Sequence, residues 1–336
     1  MIFPPHSLPF LILLLLGVLM AISSPSWFSA WVGLELNLMS FIPLIAMKGN
    51  YALSEASLKY FLIQALGSSI IIFSSCLLLM VPSFALILLL SSLLLKLGSA
   101  PFHFWFPQVT EGLNWIQASL LLTIQKIAPM FLISYLLLDP LVVFLASLAA
   151  IMSAITGALG GINQTYLRKL MAFSSINHMS WMIFSLILSE LSWFIYFSFY
   201  SLISFSVISL FHLTQVYHLS NLIQLSGSSP LTHMVFSLSL LSLGGLPPFS
   251  GFIPKWMVVQ MMVTGHQIIP LFVLLMSALF TLYFYVRMFN MFVIKPSPTF
   301  SWYLLFKTSN YNFEIFSFVI LMNLIGLPFS AMFFML

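Results

Sequence analysis

Charged residues are scarce in this sequence. Ten basic and six acidic side chains make up 5% of its 336 residues, whereas charged residues are roughly a quarter of a soluble domain. Hydrophobic residues make up 61%. So few charges cannot cover the surface of a soluble protein of 37.9 kDa. A soluble enzyme, a nucleic-acid-binding protein and a disordered scaffold are therefore excluded, and the composition indicates a chain that lies almost entirely in a membrane.

Cysteine is almost absent too, since Cys76 is the only one. A disulfide framework, a zinc site and an iron–sulfur cluster each draw on several cysteines, so all three are excluded. The nucleotide-binding patterns G-x-G-x-x-G and G-K-[ST] and the zinc motif H-E-x-x-H are also missing. We therefore expect no cofactor, no metal and no bound dinucleotide in this chain.

Eleven apolar segments are present, each long enough to cross a bilayer as a helix, which takes about 20 residues. Pro, Ser, Gly or Asn mark many of the short connections between them. They cover approximately 8–23, 25–47, 55–80, 83–105, 114–138, 140–162, 166–188, 191–219, 231–264, 267–294 and 312–335. This pattern predicts an all-α polytopic membrane protein with a single membrane domain over residues 1–336.

The loop charges predict an orientation. If the segments cross alternately, the side of the N-terminus carries these basic residues: Lys48, Arg168, Lys169, Lys295 and Lys307. The opposite side carries Asp139 and Glu190 and no loop Lys or Arg. The positive-inside rule then predicts that the N-terminus lies on the cytoplasmic side, or its organellar equivalent, with the C-terminus across the membrane.

Two segments contain helix breakers in one pattern, L-G-x-x-P. The residues concerned are Gly98 and Pro101 in the fourth segment, and Gly244, Gly245, Pro247 and Pro248 in the ninth. Because the patterns lie five helices apart, they run in opposite directions through the bilayer, as in inverted repeats that each contain one broken helix. We predict five-helix repeats at roughly 8–138 and 140–294, followed by a loop and a final helix at 295–336. A plain proline kink in each helix is the alternative.

Four ionisable residues lie in apolar segment middles or at the breaks: Glu35, Lys96, Lys126 and Lys255. Each costs about 2.5–3.5 kcal/mol at the centre of a membrane helix. One carboxylate cannot neutralise three amines, so some of the lysines must be hydrated or must lose their proton part of the time. These residues are therefore predicted to move protons, with Glu35 and Lys96 as a switchable ion pair. For Lys255 alone, a side chain that snorkels to the membrane interface is the alternative.

Two histidines are candidate proton relays. His103 follows the first break, and His178 lies in the middle of the seventh segment beside serines and an asparagine. An imidazole can accept and release a proton near neutral pH. The alternative for each is a neutral histidine bonded to a neighbouring carbonyl.

Five runs of residues resemble one family, subunit 2 of respiratory complex I, or NADH–ubiquinone oxidoreductase chain 2. They are Trp31–Asn37, Lys96–Trp105, Gln125–Pro129, Gly161–Lys169 and Ser242–Phe249. The resemblance implies an antiporter-like helical array that pumps protons in the membrane arm of the complex. It also implies proton-translocation roles for the four ionisable residues named above, with relay roles for His103 and His178.

The resemblance carries further expectations. The eleven segments match the short animal form, which implies the mitochondrial inner membrane, with the N-terminus in the matrix and the C-terminus on the intermembrane-space side. The expected partners are other membrane-arm subunits, notably the neighbouring subunits 4L and 4, together with accessory subunits and lipids. The chain would belong to an H⁺-translocating NADH:ubiquinone reductase without carrying a redox centre, because other subunits bind the flavin, the iron–sulfur clusters and ubiquinone.

Two other functions remain open. A stand-alone cation/proton antiporter would contain the same inverted repeat and would work without electron donors. A structural spacer of the membrane arm would have no proton path of its own.

Overall fold

The computed structural model describes residues 7–46, 50–224, 230–293 and Asn323. The predicted eleventh segment and the preceding loop lie outside the described residues, except for Asn323. Lys48, Lys295 and Lys307, which entered the orientation argument, lie outside them as well.

The described residues form two compact units, Met1–Ser153 and Ala154–Leu336, and the boundary between them falls within one helix, α8. The helices up to this boundary are α1 (Leu8–Ile22), α2 (Trp27–Ala46), α3 (Tyr51–Leu77), α4 (Pro82–Leu97), α5 (Trp105–Gly112), α6 (Trp115–Leu122), α7 (Ile124–Leu136) and α8 (Pro140–Ile162). Those that follow are α9 (Leu167–Leu188), α10 (Glu190–Thr214), α11 (Leu219–Gln224), α12 (Pro230–Gly244), α13 (Phe252–Thr264) and α14 (Ile268–Val293).

The prediction of an all-α polytopic membrane protein is confirmed. Each of the first ten predicted segments contains at least one helix. Among the described residues, seven helical stretches are long and apolar enough to cross a membrane, namely α2, α3, α6 together with α7, α8, α9, α10 and α14. Helices α1 and α4 and residues 234–244 of α12 are shorter apolar helices. Helices suit this environment because they satisfy the backbone polar groups within one segment.

Serine hydroxyls are satisfied locally, which explains how so many serines are accommodated in apolar helices. In a recurring pattern, the hydroxyl donates to the carbonyl three residues earlier in the same helix, as in Ser153 to Ala150 (2.8 Å) and Ser185 to Met182 (2.7 Å). A buried hydroxyl bonded in this way needs no partner on another helix. These serines therefore carry no signal of a catalytic site.

Glycines bring one pair of helices in each unit unusually close together. In the first unit, a Cβ added to Gly17 of α1 would lie 2.8 Å from the backbone nitrogen of Asn37 in α2. In the second unit, a Cβ added to Gly157 of α8 would lie 2.6 Å from the backbone nitrogen of Asn177 in α9. Both the glycines and the asparagines are 140 residues apart in the sequence. The two crossings are thus equivalent positions in the halves that the sequence predicts.

Polar contacts in the second unit agree with the predicted alternation of the segments. The connection before α9 pairs with the connection after α10, because Leu167 N donates to Tyr217 O (2.9 Å) and Leu219 N donates to Thr165 O (3.0 Å). Near the end of α14, Arg287 Nη1 donates to the carbonyl of Ile162, the last residue of α8 (3.0 Å). The ends of α8, α10 and α14 that the sequence assigns to one membrane side are therefore linked to one another.

Replacing Gly33 of α2 by valine is expected to disrupt the crossing with α1. A Cβ there would lie 2.6 Å from the backbone nitrogen of Ala21, which cannot move without shifting α1. We expect a loss of at least about 3 kcal/mol, the upper end for overpacking. The measurement is the amount of folded chain recovered from membranes on native gels. Met39→Val, which places the same residue at an exposed position of α2, is the control and should leave this amount unchanged.

Candidate functional site

The first predicted break lies between α4 and α5. Helix α4 ends at Leu97, and Gly98 adopts a left-handed conformation with φ +70°. Gly98 N donates to Leu95 O (3.1 Å) and Ser99 N donates to Leu94 O (3.2 Å), the bond pattern of a Schellman motif. A seven-residue loop, 98–104, which contains Pro101 and His103, leads to α5.

Two side chains also donate to carbonyls at this break. Trp105 Nε1 donates to the carbonyl of Leu95 (3.1 Å), and Gln64 Nε2 of α3 donates to the carbonyl of Lys96 (3.2 Å). Neutral donors therefore cap the C-terminal end of α4. The Lys96 amine takes no part in that cap.

The second break lies between α12 and α13 and is capped differently. Helix α12 ends at Gly244, and Gly245 is left-handed with φ +77°. Its N–H donates to the carbonyls of Leu241 (3.1 Å) and Ser242 (3.0 Å). The Nζ of Lys255 donates to the carbonyl of Gly244 (2.9 Å), so here a lysine amine is the side-chain cap.

The structure corrects the register of the repeat by one residue. The L-G-x-x-P pattern aligns Gly98 with Gly244, but the glycine in the left-handed conformation at the second break is Gly245. Because this conformation after a helix end strongly favours glycine, Gly98 is equivalent to Gly245. Pro101 is then equivalent to Pro248 rather than to Pro247. The shared motif becomes G-x-x-P-F, and each loop has seven residues, 98–104 and 245–251.

All three candidate lysines are buried within the protein. The exposed fractions are 7% for Lys96, 2% for Lys126 and 8% for Lys255. The alternative of a snorkelling Lys255 is therefore wrong, since its amine bonds to a backbone carbonyl inside the protein.

Lys96 and Lys126 line the same cavity in the first unit. Its volume is about 20 Å³, which is enough for about one water molecule. The polar side chains that share its wall with the two lysines are Asn37, Tyr60, Gln64 and Gln125. The Nζ of Lys126 also lies 5.6 Å from the centre of the Phe106 ring. The structure thus places two lysine side chains around one water-sized space.

Glu35 lies on α2, half-buried, and does not line this cavity. Its carboxylate is near enough to Lys96 for a Coulombic interaction, but the two groups are not in direct contact. On α3, by contrast, Lys59 and Glu55 form an ion pair in direct contact (2.7 Å), with both side chains exposed. The predicted Glu35–Lys96 pair is therefore open in this structure.

The two candidate relay histidines differ in their burial and in their position relative to the cavities. His178 of α9 is 9% exposed, and its Nδ1 lies 2.9 Å from the hydroxyl oxygen of Tyr196, so a tyrosine of α10 is a hydrogen-bond partner of this ring. A cavity of about 10 Å³ adjoins His178, Tyr196 and Tyr200 and reaches Ser242 and Gly251 at the second break. This volume is at the lower limit for one water.

His103, by contrast, is half-buried in the loop of the first break. Its ring lies 4.2 Å from that of Phe104, centre to centre. It does not line the cavity shared by Lys96 and Lys126. The structure therefore brings His178 to a break, but leaves His103 outside the two-lysine cavity.

Sequence reasoning missed the neutral polar residues around these groups. Asn323 is one of them. Its Oδ1 accepts a hydrogen bond from Ser242 Oγ (2.6 Å), and its backbone carbonyl accepts one from Ser250 N (3.2 Å), both at the second break. The spacing of 140 residues, which relates Tyr60 to Tyr200 as well as the glycines and asparagines above, was the available signal for Asn37 and Tyr60.

In both units, the equivalent asparagine accepts a side-chain hydrogen bond. Asn37 Oδ1 accepts from Gln125 Nε2 of α7 (2.9 Å), and Asn177 Oδ1 accepts from Ser277 Oγ of α14 (3.0 Å). In the predicted repeats, α7 and α14 belong to the equivalent fifth segments. The internal geometry of each unit thus follows one plan, although the ionisable residues on it differ.

Apolar helices that break at buried lysines define a membrane protein of the antiporter-like class. Residues 24–83 and 80–281 match the sequence model of the family described as NADH:quinone oxidoreductase/Mrp antiporter, transmembrane. The chain is 45% identical to NADH-ubiquinone oxidoreductase chain 2 of Anopheles gambiae over 95% of this chain and 94% of that one. It is 36% identical to the protein of the same name from Locusta migratoria, over 87% of each chain. The chain therefore belongs to the NADH-ubiquinone oxidoreductase chain 2 family.

Solved structures agree on the fold. A chain of respiratory complex I from Thermus thermophilus matches with a TM-score of 0.82 at 23% identity, over 96% of this chain and 78% of that chain. A chain of the Mrp complex from Dietzia matches with a TM-score of 0.77 at 19% identity, over 87% of this chain and 62% of that chain. At these identities, the likeness shows that the chain has the antiporter-like helical array.

Alanine substitutions at the two adjacent glycines test the corrected register. Gly245→Ala is expected to cost about 1–2 kcal/mol for the left-handed conformation, and its Cβ would also press on Lys255 Cδ at 3.0 Å. Gly244→Ala should be tolerated, because its Cβ would meet nothing nearer than Tyr285 Cδ2 at 3.8 Å. The measurement is the temperature at which the native membrane complex loses the chain. Greater damage from Gly244→Ala than from Gly245→Ala would show that the register is wrong.

Proposed function

We propose that this chain is a proton-translocating core subunit of the membrane arm of respiratory complex I. Membership of the NADH-ubiquinone oxidoreductase chain 2 family supports the complex, and the buried lysines support the proton path. The observation that carries the proposal is the cavity shared by Lys96 and Lys126, because two amines around one water-sized space can exchange a proton through a single water.

The proposed roles follow the chain. Glu35 and Lys96 form a switchable ion pair, which is open in the present structure, and its closure changes the charge next to the shared cavity. Lys126 is the central proton store. Lys255 passes charge towards an exit or towards the next antiporter-like subunit, and His178 and His103 serve as relay stations. The Tyr196 hydroxyl bonded to His178 supports the relay role of that ring.

Lys255 combines a structural task with its proposed role. Both an ammonium and a neutral amine can donate a hydrogen bond, so the bond to the Gly244 carbonyl can persist when the lysine gives up its proton. The cap of α12 can therefore be retained throughout a transfer cycle. The combination of capping the break and carrying a proton accounts for a lysine at this position instead of a neutral donor.

The proposal also covers the setting of the chain. The chain lies in the mitochondrial inner membrane as two inverted repeats, with the N-terminus on the matrix side and the C-terminus on the intermembrane-space side. Its neighbours are subunits 4L and 4, accessory subunits and lipids. Electron transfer takes place on flavin, iron–sulfur clusters and ubiquinone bound by other subunits, and it reaches this chain as a change in electrostatic potential. Ten helical segments in the described part of the chain, and a fold shared with antiporter-like chains, support this arrangement.

Substituting Lys126 by methionine tests the central role. Methionine fills a similar volume without a titratable group, so the complex should still assemble. NADH oxidation coupled to proton uptake should fall by roughly tenfold or more, since a positioned proton-transfer group has been removed. Lys59→Met removes an exposed lysine paired with Glu55 and should behave as wild type. Normal pumping in Lys126→Met would contradict the proposal and would favour a structural spacer.

Two substitutions at Lys255 separate capping from proton transfer. Lys255→Gln retains an N–H donor for the Gly244 carbonyl but cannot exchange a proton, so we expect assembly close to wild type with impaired proton uptake. Lys255→Met leaves the carbonyl unsatisfied at a cost of about 1–3 kcal/mol and should lower the amount of assembled complex as well. Both quantities are measured in isolated membranes. Wild-type proton uptake in Lys255→Gln would show that Lys255 caps α12 and does not transfer protons.

A further inference from the structure

We propose that Asn37, Gln125 and Tyr60 form a positioning chain that fixes the bridging water between the amines of Lys96 and Lys126. Proton exchange between the two lysines then depends on three neutral side chains. This inference rests on the proposed function, because it concerns the same cavity.

The three side chains form a continuous hydrogen-bonded line across three helices. The Tyr60 hydroxyl of α3 donates to Gln125 Oε1 of α7 (3.2 Å), and Gln125 Nε2 donates to Asn37 Oδ1 of α2 (2.9 Å). The Gln125 amide is engaged at both ends, and turning it over would face its oxygen towards that of Asn37. In this arrangement the hydrogen bonds run in one direction, from Tyr60 through Gln125 to Asn37.

Each member of the line also forms part of the cavity wall, together with Lys96 and Lys126. After these bonds are made, the Gln125 amide retains a second N–H, and the Asn37 amide retains its own N–H groups. A buried water needs two to four polar partners. The line therefore offers fixed partners at one face of a space that has room for about one water.

The backbone of α7 leaves an acceptor without its helical donor at Gln125. Thr123 interrupts the helix with φ −115° and ψ −76°, so that Gln125 and Lys126 lie in the first turn of α7. Pro129, four residues after Gln125, has no N–H, and the carbonyl of Gln125 therefore lacks its usual helical donor. Pro129 also lines the cavity. Gln125 thus presents both a side chain and a backbone oxygen beside Lys126.

Comparison with the second unit separates the structural part of this line from the rest. The bond to the asparagine recurs there as Ser277 to Asn177, which marks it as part of the common fold. However, Ser277 is followed by an alanine, Ala278, where Gln125 is followed by Lys126. The amide of Gln125 and its bond to Tyr60 extend the common bond only in the unit where two lysines share a cavity. The positioning element is therefore the bond between Tyr60 and Gln125, and not the bond to the asparagine that both units share.

Tyr60→Phe and Gln125→Leu test the inference in the assembled complex. Tyr60→Phe deletes one hydroxyl and leaves the ring in place, so assembly should be normal. We expect NADH oxidation coupled to proton uptake to slow by roughly 2–10-fold, the rate equivalent of one hydrogen bond. The solvent deuterium isotope effect should rise at the same time, because proton exchange between the lysines becomes rate-limiting. Gln125→Leu should have the same effect to a larger extent.

Two controls distinguish positioning from structure. Tyr135→Phe removes the hydroxyl of an exposed tyrosine on α7, which bonds to the Ile22 carbonyl outside the cavity, and should change neither rate nor isotope effect. Gln117→Leu removes a buried amide that donates to the Leu44 carbonyl (2.7 Å). It should lower the amount of complex, while the isotope effect per assembled complex stays at the wild-type value.

A wild-type rate in Tyr60→Phe, or a slower rate with an unchanged isotope effect, would overturn the inference. If Gln125→Leu fails to assemble, the result for Tyr60→Phe alone decides whether the inference holds. Suppose that Lys126→Met loses pumping while Tyr60→Phe keeps the wild-type rate. This result would contradict the positioning role of the three side chains and would leave the proposed function intact. Normal pumping in Lys126→Met would instead overturn the proposed function itself.

Discussion

A helix that is interrupted inside a membrane leaves carbonyl groups which no solvent can satisfy, and each would cost several kcal/mol if left without a donor. The rest of this structure depends on how that constraint is met. At the first break, Gln64 and Trp105 supply neutral donors. At the second break, the amine of Lys255 donates to the Gly244 carbonyl, and Asn323 accepts hydrogen bonds from Ser242 and Ser250. Once the carbonyls are satisfied, the breaks can remain buried and hold polar side chains away from lipid.

The same constraint applies to the lysines. An amine in hydrocarbon is unfavourable by about 2.5–3.5 kcal/mol at a helix centre. Lys96 and Lys126 face a polar cavity with room for about one water, and Lys255 bonds to a backbone carbonyl. Each lysine is thus accommodated by the interruption of a helix or by its immediate neighbours. Gly67 also leaves room for the Lys96 side chain, since a Cβ at this position would lie 3.0 Å from Lys96 Cγ.

The sequence was sufficient to predict the helical segments, the two breaks and the buried lysines, because apolar length, glycine–proline pairs and charges in apolar runs are local signals. It was insufficient for the register of the second break. Gly244 and Gly245 are adjacent, and the backbone conformation decides between them. The line from Tyr60 through Gln125 to Asn37 was also missed, because neutral polar residues on three separate helices look like ordinary helix residues until packing brings them together. The 140-residue spacing was present in the sequence, but only the glycine crossings gave it a physical meaning.

The different caps give the two breaks different properties. The donors at the first break, Gln64 and Trp105, do not titrate in any ordinary pH range, so the end of α4 keeps its cap whatever proton Lys96 carries. At the second break, the capping group is itself the titratable one, and its charge lies at the C-terminal end of α12, where the helix dipole acts on charge. A proton on Lys255 therefore changes the charge at the end of α12 while the cap itself persists, whereas a proton on Lys96 lies on a group that caps nothing. On one common plan, the first unit holds its lysines around a cavity with neutral caps at the break, whereas the second holds its titratable amine directly on the end of a helix.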